Sequence, residues 1–521
     1  MGPAMTTQLD SSLLAATPAT ARPATPAADS PEADSPVAGW HGSKLVGVFV
    51  ALLLLTVVLR LPAFFGDVFN SDETFLATQA EVINGGGRLY EEAADRKPPL
   101  VPYLYAAAFT ITGSTALWSV RVLAMVAVAL TALLVAMEAR RRYGRKAGWI
   151  AGGLLVFASV AFAPQDGQAA NFEVFMLPSM TAAVLLAHRG KSFSSGAAVA
   201  LATLAKQTGA ATLLPVLYSV WRRRGRRGAG DALVGFAAPV ALVALVVGPG
   251  QLLFWAVLGN GSYLSVRSAS ALVAGLFFVM TLAFVALNLP IVWALPRAWR
   301  ERRAHDDTDL WLWLLSAAIS VTVGLRFFGH YYLQLLPPLC LLTAGALATA
   351  TRRAVTRTVA LAAFVAVAFS AIGFFVRPFD DKAEYRSVAR YIDENSGEKD
   401  RILVWGHVPE IYWASGTRPA TRFPTTGFIT GAAGGRHADD VSEDNATPGA
   451  WDLFFEDFVA HPPRYIVDTS SASIRGSQFY PISRFPRMAE TVFREYQYVE
   501  FIDGITIYQR VENPPFRTAI W

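Results

Sequence analysis

Asp72 and Glu73 stand side by side a few residues after the first long apolar run. A carboxylate fixed at a membrane surface can take a proton from a hydroxyl. Two solvated loop acids would look the same in sequence, and both readings stand at this point. Lys97 precedes a double proline, Pro98-Pro99, which fixes the backbone beneath it. Its ammonium suits a phosphate as a point charge, and an interfacial lysine that snorkels to water is the plainer alternative. Lys206 lies between two short apolar stretches. A charge there is costly unless it faces a cavity or a partner, and Glu173 and Asp166 are candidate partners. Glu173 opens an apolar helix, where the N-terminal dipole favours a carboxylate whether or not it does chemistry. Arg326 and His330 precede a further apolar helix, and His330-Tyr331-Tyr332 also reads as an interfacial aromatic belt. The Gly85-Gly86-Gly87 run reads as a turn, or as amides for a phosphate. Together these residues offer a candidate base for a hydroxyl and candidate cations for a phosphate.

The elements that must position them are membrane helices. The 521-residue chain is 53% hydrophobic and 16% charged, with a mean hydropathy of +0.36. Soluble chains average about 25% charged residues. These figures exclude a soluble enzyme of ordinary composition and a wholly disordered chain. A single cysteine, Cys340, excludes an intrachain disulfide and a cysteine metal cluster. No P-loop or dinucleotide fingerprint is present, so a nucleotide-bound donor is not supported.

Residues 1–40 are rich in Ala, Pro, Thr and Ser and read as a disordered cytoplasmic tail. They are not a signal peptide, because the first apolar run starts only near Lys44. Residues 41–377 read as the transmembrane domain, with apolar runs at about 44–64, 117–137, 148–163, 174–187, 194–205, 208–220, 231–248, 271–296, 310–324, 331–350 and 358–376. The run 99–113 is ambiguous. Arginine clusters follow at 140–146, 188–191, 222–227, 297–303 and 352–357, and Lys and Arg collect on the cytoplasmic side. All five fall inside only if 99–113 does not cross. The expectation is therefore about eleven crossings, a cytoplasmic N-terminus, an outer loop over 65–116, and 99–113 as a juxtamembrane helix. Residues 378–521 read as a small extracytoplasmic α/β domain. It has a helix over 382–396, strands at 401–405 and 464–468, and a hairpin over 497–511 turning at Asp503-Gly504. The Gly-rich stretch 430–450 reads as a mobile loop.

On this topology the candidate residues gather at one rim, the outer leaflet. The runs Ser71-Asp72-Glu73-Thr74, Gly85 to Tyr90 and Lys97-Pro98-Pro99-Leu100 resemble the first outer loop of the GT-C glycosyltransferases. More narrowly, they are similar to the protein mannosyltransferase and aminoarabinose transferase group, glycosyltransferase family 39-like. The likeness continues through Gly167 to Glu173, Ala205-Lys206-Gln207, His330 to Pro338 and Val404 to Tyr412.

The resemblance implies a transferase that uses a polyprenyl-phosphate-linked sugar. It implies Asp72 as the catalytic acidic residue, acting as base on the acceptor; Glu73 and Glu173 are further catalytic candidates by their position in the chain. Lys97 and Lys206 match lysines expected near the donor phosphate, and Arg326 is a further candidate for the same phosphate. Tyr90, Asn171, Gln207, His330 and Tyr331 fall along the substrate cleft. Many members carry Asp where this chain has Glu173, which sets its carboxylate one methylene further out. The expected reaction is a single inverting displacement, with the leaving lipid phosphate needing no general acid. A divalent cation bridging Asp72 or Glu73 to the phosphate is compatible with the chemistry, and the sequence does not require it. Partners are the lipid-linked donor, membrane lipid, and a protein, glycolipid or polysaccharide acceptor, with no nucleic acid. The rival reading is a transporter or flippase of a lipid-linked sugar, using the same cleft without chemistry.

Overall fold

The computed structural model describes Met1, Trp40 and residues 42–261, 270–375, 384–432 and 438–512. The tail before Trp40, the junction at 376–383 and residues 433–437 of the Gly-rich stretch lie outside the described residues.

The apolar runs become helices. In chain order these are α1 (Ser43–Leu59), α2 (Ser71–Asn84), α3 (Leu100–Thr112), α4 (Trp118–Tyr143), α5 (Arg145–Ala158), the single turn α6 (Pro164–Gln168), α7 (Phe172–His188), α8 (Ser192–Ala205), α9 (Leu213–Val247) and α10 (Pro249–Ala256). The membrane region continues with α11 (Ser270–Leu287), α12 (Thr308–Thr322), α13 (Leu336–Ala348) and α14 (Arg352–Phe375). Among the described residues five helical stretches are long and apolar enough to cross a bilayer, and five further apolar helices have 10–17 residues. The run 271–296 stops being one helix at Asn288, beyond which Leu289–Val292 and Leu295–Glu301 form short pieces started by prolines.

The runs 208–220 and 231–248 join in α9, which breaks at Gly225 (φ +58), a conformation glycine adopts without strain. Arg224 meets Ser192 and Asp231 there, and a Cβ on Gly196 would strike the Ala232 carbonyl. Small residues thus let α8 and the second half of α9 touch backbone to backbone. Large apolar groups such as Leu54, Leu245, Phe278, Leu282 and Phe364 stay exposed on the helix exteriors. Large apolar side chains exposed on so many helices suit lipid better than water.

The arginine clusters meet at one end of the bundle. Arg142 bonds Asp307 and Asp309, Arg222 bonds Asp306, and Arg297 reaches Thr349. His188 is held between Glu138 (2.8 Å) and Asp309 (2.6 Å). Buried charges survive when paired and hydrogen-bonded, so this network fastens α4, α7 and α12.

The C-terminal segment forms a five-stranded sheet in the order β2-β1-β3-β5-β4. Its strands are β1 (Arg401–Trp405), β2 (Arg418–Pro419), β3 (Tyr465–Asp468), β4 (Tyr496–Ile502) and β5 (Ile505–Arg510). β2, β1 and β3 are parallel, and β5 and β4 run antiparallel to close the sheet. The β4–β5 turn has Asp503 and Gly504 at positive φ, as a two-residue hairpin turn requires. Helices α15 (Glu384–Asn395), α16 (Glu410–Ser415), α17 (Ala450–Ala460) and α18 (Pro486–Glu495) complete it. The two-residue strand β2 is too short to leave a pattern in sequence.

This sheet does not stand apart from the membrane region. Trp405, Phe423, Phe428 and Phe454 share one apolar cluster with Phe75, Val82, Tyr90 and Trp255. The backbone of Ala94 donates to the Arg422 carbonyl (2.6 Å), and Arg96 reaches Gly427 and Thr447. Arg418 lies over Gly85, where a Cβ would be 1.8 Å from its guanidinium. The glycine run is thus a turn that accommodates the C-terminal segment.

Candidate active site

Asn70 begins the site. Its side chain caps α2 by accepting from the Asp72 N–H (2.9 Å), and its amide donates to Asp166 (3.1 Å). The cap aims the first turn of α2 at the rim, with Asp72 and Glu73 on it. Successive residues on a helix point about 100° apart, and the two acids separate. Asp72 Oδ2 lies 3.3 Å from Lys97 Nζ, with both side chains about one quarter exposed. Burial alone would raise the Asp72 carboxyl, but Lys97, with His330 and His407 nearby, draws it down to about 2.

Glu73 turns the other way and is fully buried. Its oxygens accept from Arg121 Nε (3.0 Å) and Nη2 (2.8 Å), from the Ala170 N–H (3.0 Å) and from the Phe69 N–H (3.3 Å). Arg121 also donates to the carbonyls of Ala63, Gly66 and Asp67. With four donors on its two oxygens, Glu73 ties α2 to α4 and to the start of α7. That is a structural set of contacts.

Lys97 is held by its backbone. Tyr90 Oη donates to its carbonyl (2.8 Å), and Asp95 Oδ1 accepts from its N–H (3.1 Å). Burial pushes the Asp95 carboxyl up to about 6. Gln207 Nε2 donates to the Arg96 carbonyl (2.6 Å), and Asn260 does the same (3.2 Å). Tyr90 and Gln207, expected along the cleft, therefore act on the chain that presents Lys97. Tyr90 is fully buried and Gln207 is part-exposed. The ammonium itself sits 3.9 Å over the Phe172 ring, at the first residue of α7.

Glu173, next to Phe172, pairs with Lys206, and both are nearly buried. Lys206 also lies 3.7 Å over the Tyr331 ring. His330 Nδ1 is 2.6 Å from Asp166 Oδ1, and its Nε2 is 3.9 Å from Glu173. Asn171 caps α7 by accepting from the Val174 N–H (3.2 Å) and anchors Asp166 through its carbonyl (3.1 Å). Arg326 is buried four residues before His330, between Leu325 and Phe327, each at φ 51. Non-glycine residues at positive φ are strained, and such strain gathers where the chain must hold a side chain in place.

Asp72, Lys97, Glu173, Lys206 and His330 thus share one neighbourhood. Asp166, Asn70, Arg121 and His407 complete or support it and were not singled out as site residues. Asp166 was legible only as a possible partner of Lys206, and its bond to His330 joins positions 164 residues apart. Asp72 and Glu173 each already face a lysine, and among the described residues no group of three or more His, Cys, Asp or Glu is placed to hold a metal ion. Beside the cluster, sharing Gln207, lies a cavity of about 390 Å³ lined by Thr208, Ala211, Leu214, Ile319 and Val323. Its walls are largely apolar and come from the 3-10 turn Gln207–Thr212, the first turn of α9 and the C-terminal half of α12.

Residues 96–249 match the family model described as dolichyl-phosphate-mannose-protein mannosyltransferase. The match begins at Arg96-Lys97, so it includes Glu173 and Lys206 and stops short of Asp72. No curated protein matches the chain. Among solved structures the chain is similar to ArnT from Cupriavidus metallidurans bound to undecaprenyl phosphate, with 16% identity and a TM-score of 0.64 over 91% of this chain and 99% of that one. It is also similar to the Archaeoglobus fulgidus oligosaccharyltransferase in complex with Zn and sulfate, with 15% identity and a TM-score of 0.53 over 89% of this chain and 73% of that one. The same organism's AglB, in complex with an inhibitory peptide and a dolichol-phosphate, gives 15% identity and a TM-score of 0.52 over 91% and 75%. The fold is that of the GT-C glycosyltransferases.

Proposed function

We propose that this chain is a multi-pass membrane glycosyltransferase that moves a sugar from a polyprenyl-phosphate-linked donor to an acceptor hydroxyl at the outer face of the plasma membrane. The observation that carries the reading is the Asp72–Lys97 pair at the rim, with the Glu173–Lys206 pair beside it. This is one base and two cations gathered in one neighbourhood, the charges that a transfer from a sugar phosphate needs. The partly matched mannosyltransferase model and the lipid phosphates named for ArnT and AglB support a lipid-linked donor. The arginine-rich end opposite the rim supports an N-terminus inside and the C-terminal α/β segment outside.

The chemistry follows from the charges. The acceptor O–H gives its proton to Asp72 while its oxygen attacks the anomeric carbon, and the bond from that carbon to the phosphate oxygen breaks. The configuration inverts, and polyprenyl phosphate leaves as an anion that Lys97 and Lys206 stabilise. Arg326 is assigned to the same phosphate side. While Lys97 holds Asp72, the carboxylate is a weak base. A donor phosphate competes for Lys97, and as the ammonium turns toward it Asp72 becomes more basic. The cavity between the Gln207–Thr212 turn and α12, largely apolar and joined to the site at Gln207, is assigned to the first isoprene units.

The test is transfer by purified protein in lipid nanodiscs from a panel of polyprenyl-phosphate sugars to Ser/Thr peptides, glycolipids and wall polysaccharide. Release of polyprenyl phosphate with an inverted product is expected. If no polyprenyl-phosphate donor supports transfer, the reading fails and transport of the lipid-linked sugar takes its place.

A further inference from the structure

His407 comes from the C-terminal segment, yet its Nε2 lies 3.5 Å from Ser71 Oγ, on the residue before Asp72. The chain is fixed there from both sides. Gly406 has φ +149, and a Cβ on it would stand 2.0 Å from Thr469 Oγ1, so only glycine fits. Its carbonyl accepts from the N–H (3.1 Å) and hydroxyl (3.2 Å) of Thr426. The His407 carbonyl accepts from Arg475 Nη1 (2.6 Å), and Arg475 is locked in a two-bond pair with buried Glu410. Trp413, within the following helix α16, donates to the Thr115 carbonyl (2.9 Å) and moors the segment to the membrane region.

The imidazole is neither sealed in the core nor free in solvent, since His407 is part-exposed. The charged groups around it are Arg475, Glu410, Asp72 and Lys97. Burial and the Arg475 guanidinium hold it down at about 4, so it is neutral near pH 7. Lys97 stacks on Phe172 and Lys206 on Tyr331, so the donor-side cations stand on the helix-bundle side of Asp72. His407 approaches the same turn of α2 from the C-terminal sheet.

We propose that His407 is the acceptor-binding residue that the C-terminal segment contributes to the active site. The acceptor hydroxyl donates to Asp72 and accepts from the His407 Nε2–H, which leaves one oxygen lone pair free to attack the anomeric carbon. The weak contact to Ser71 Oγ is the one the acceptor replaces. No proton changes hands at His407 in this arrangement. The proposal rests on the transferase reading above and extends it to the acceptor.

The test compares wild type, His407→Ala and His407→Gln in the full-length protein, with the polyprenyl-phosphate sugar of the panel above, and the Ser/Thr peptide, glycolipid or wall polysaccharide, that wild type uses. His407→Ala should raise the acceptor KM about tenfold, the worth of one good hydrogen bond, and leave the donor KM, undecaprenyl phosphate binding and Tm unchanged. His407→Gln, which keeps an N–H near the Nε2 position, should recover part of the loss. An unchanged acceptor KM in His407→Ala with active wild type overturns this proposal alone. A rise in donor KM or a fall in Tm that accounts for the loss overturns it in favour of a structural role. Wild type inactive with every donor of the panel overturns the transferase reading, and this proposal with it.

Discussion

Asp72 and Lys97, 25 residues apart, meet at 3.3 Å across the loop between α1 and α3, each about one quarter exposed. Neither is a surface group that could swing away without consequence. Asp72 is fixed by the Asn70 cap, and Lys97 by bonds to both of its backbone polar groups. The pair is therefore preorganised, and a ligand phosphate that takes Lys97 releases a carboxylate already in place.

Asp72→Asn keeps the shape and removes the base. Transfer should fall by about 10²–10⁴, the usual contribution of a positioned general base. Binding of undecaprenyl phosphate should survive, because both lysines remain. Near wild-type turnover in this variant would remove Asp72 from the base role.

Glu73→Gln should do the reverse. It breaks the bidentate contact with Arg121 and leaves a buried guanidinium uncompensated, a defect of about 3–5 kcal/mol in comparable pairs. Thermal unfolding in detergent should show a clear fall in Tm, while kcat of the protein that remains folded stays near wild type. A stable but inactive Glu73→Gln would instead place Glu73 in the chemistry.

Glu173 and Lys206 should be separable by a double substitution. Glu173→Leu or Lys206→Met alone strands a nearly buried charge and lowers Tm. Together they remove both charges, so Tm should recover much of the loss while transfer stays abolished. A double variant that transfers sugar would show that the pair serves folding only.

Asp95 gives a pH signature. Its folded value of about 6 lies above the ordinary 3.8, so the folded state binds the proton more tightly than the unfolded one. The resulting stability is fully present below pH 3.8 and is lost as pH rises through 6. Asp95→Asn keeps an acceptor for the Lys97 N–H and does not titrate. It should match wild type near pH 4 and exceed it at pH 8 by up to about 3 kcal/mol. Equal pH dependence of Tm in the two proteins would contradict this.

Local chemistry made much of the molecule legible. Apolar runs became helices because their length and composition leave few other states, and Asp503-Gly504 became a turn because both positions take positive φ. Leu100–Thr112 formed as the separate short helix expected over 99–113. Lys97 and Lys206 stood out because a lysine set among apolar residues needs a reason. Three-dimensional packing decided the rest. Sequence offers Asp72 and Glu73 as equivalents, and only the placement of Arg121 on α4 shows which acid turns inward. Tyr90, Asn171 and Gln207 resemble cleft residues by position, but their hydrogen bonds go to backbone. The Glu138–His188–Asp309 network left no motif, since its members come from three helices. His407 lies 336 residues from Ser71. Periodicity and composition report on neighbours along the chain, whereas a site assembled from α2, α7, a loop and a distant sheet depends on contacts that exist only once those elements have packed.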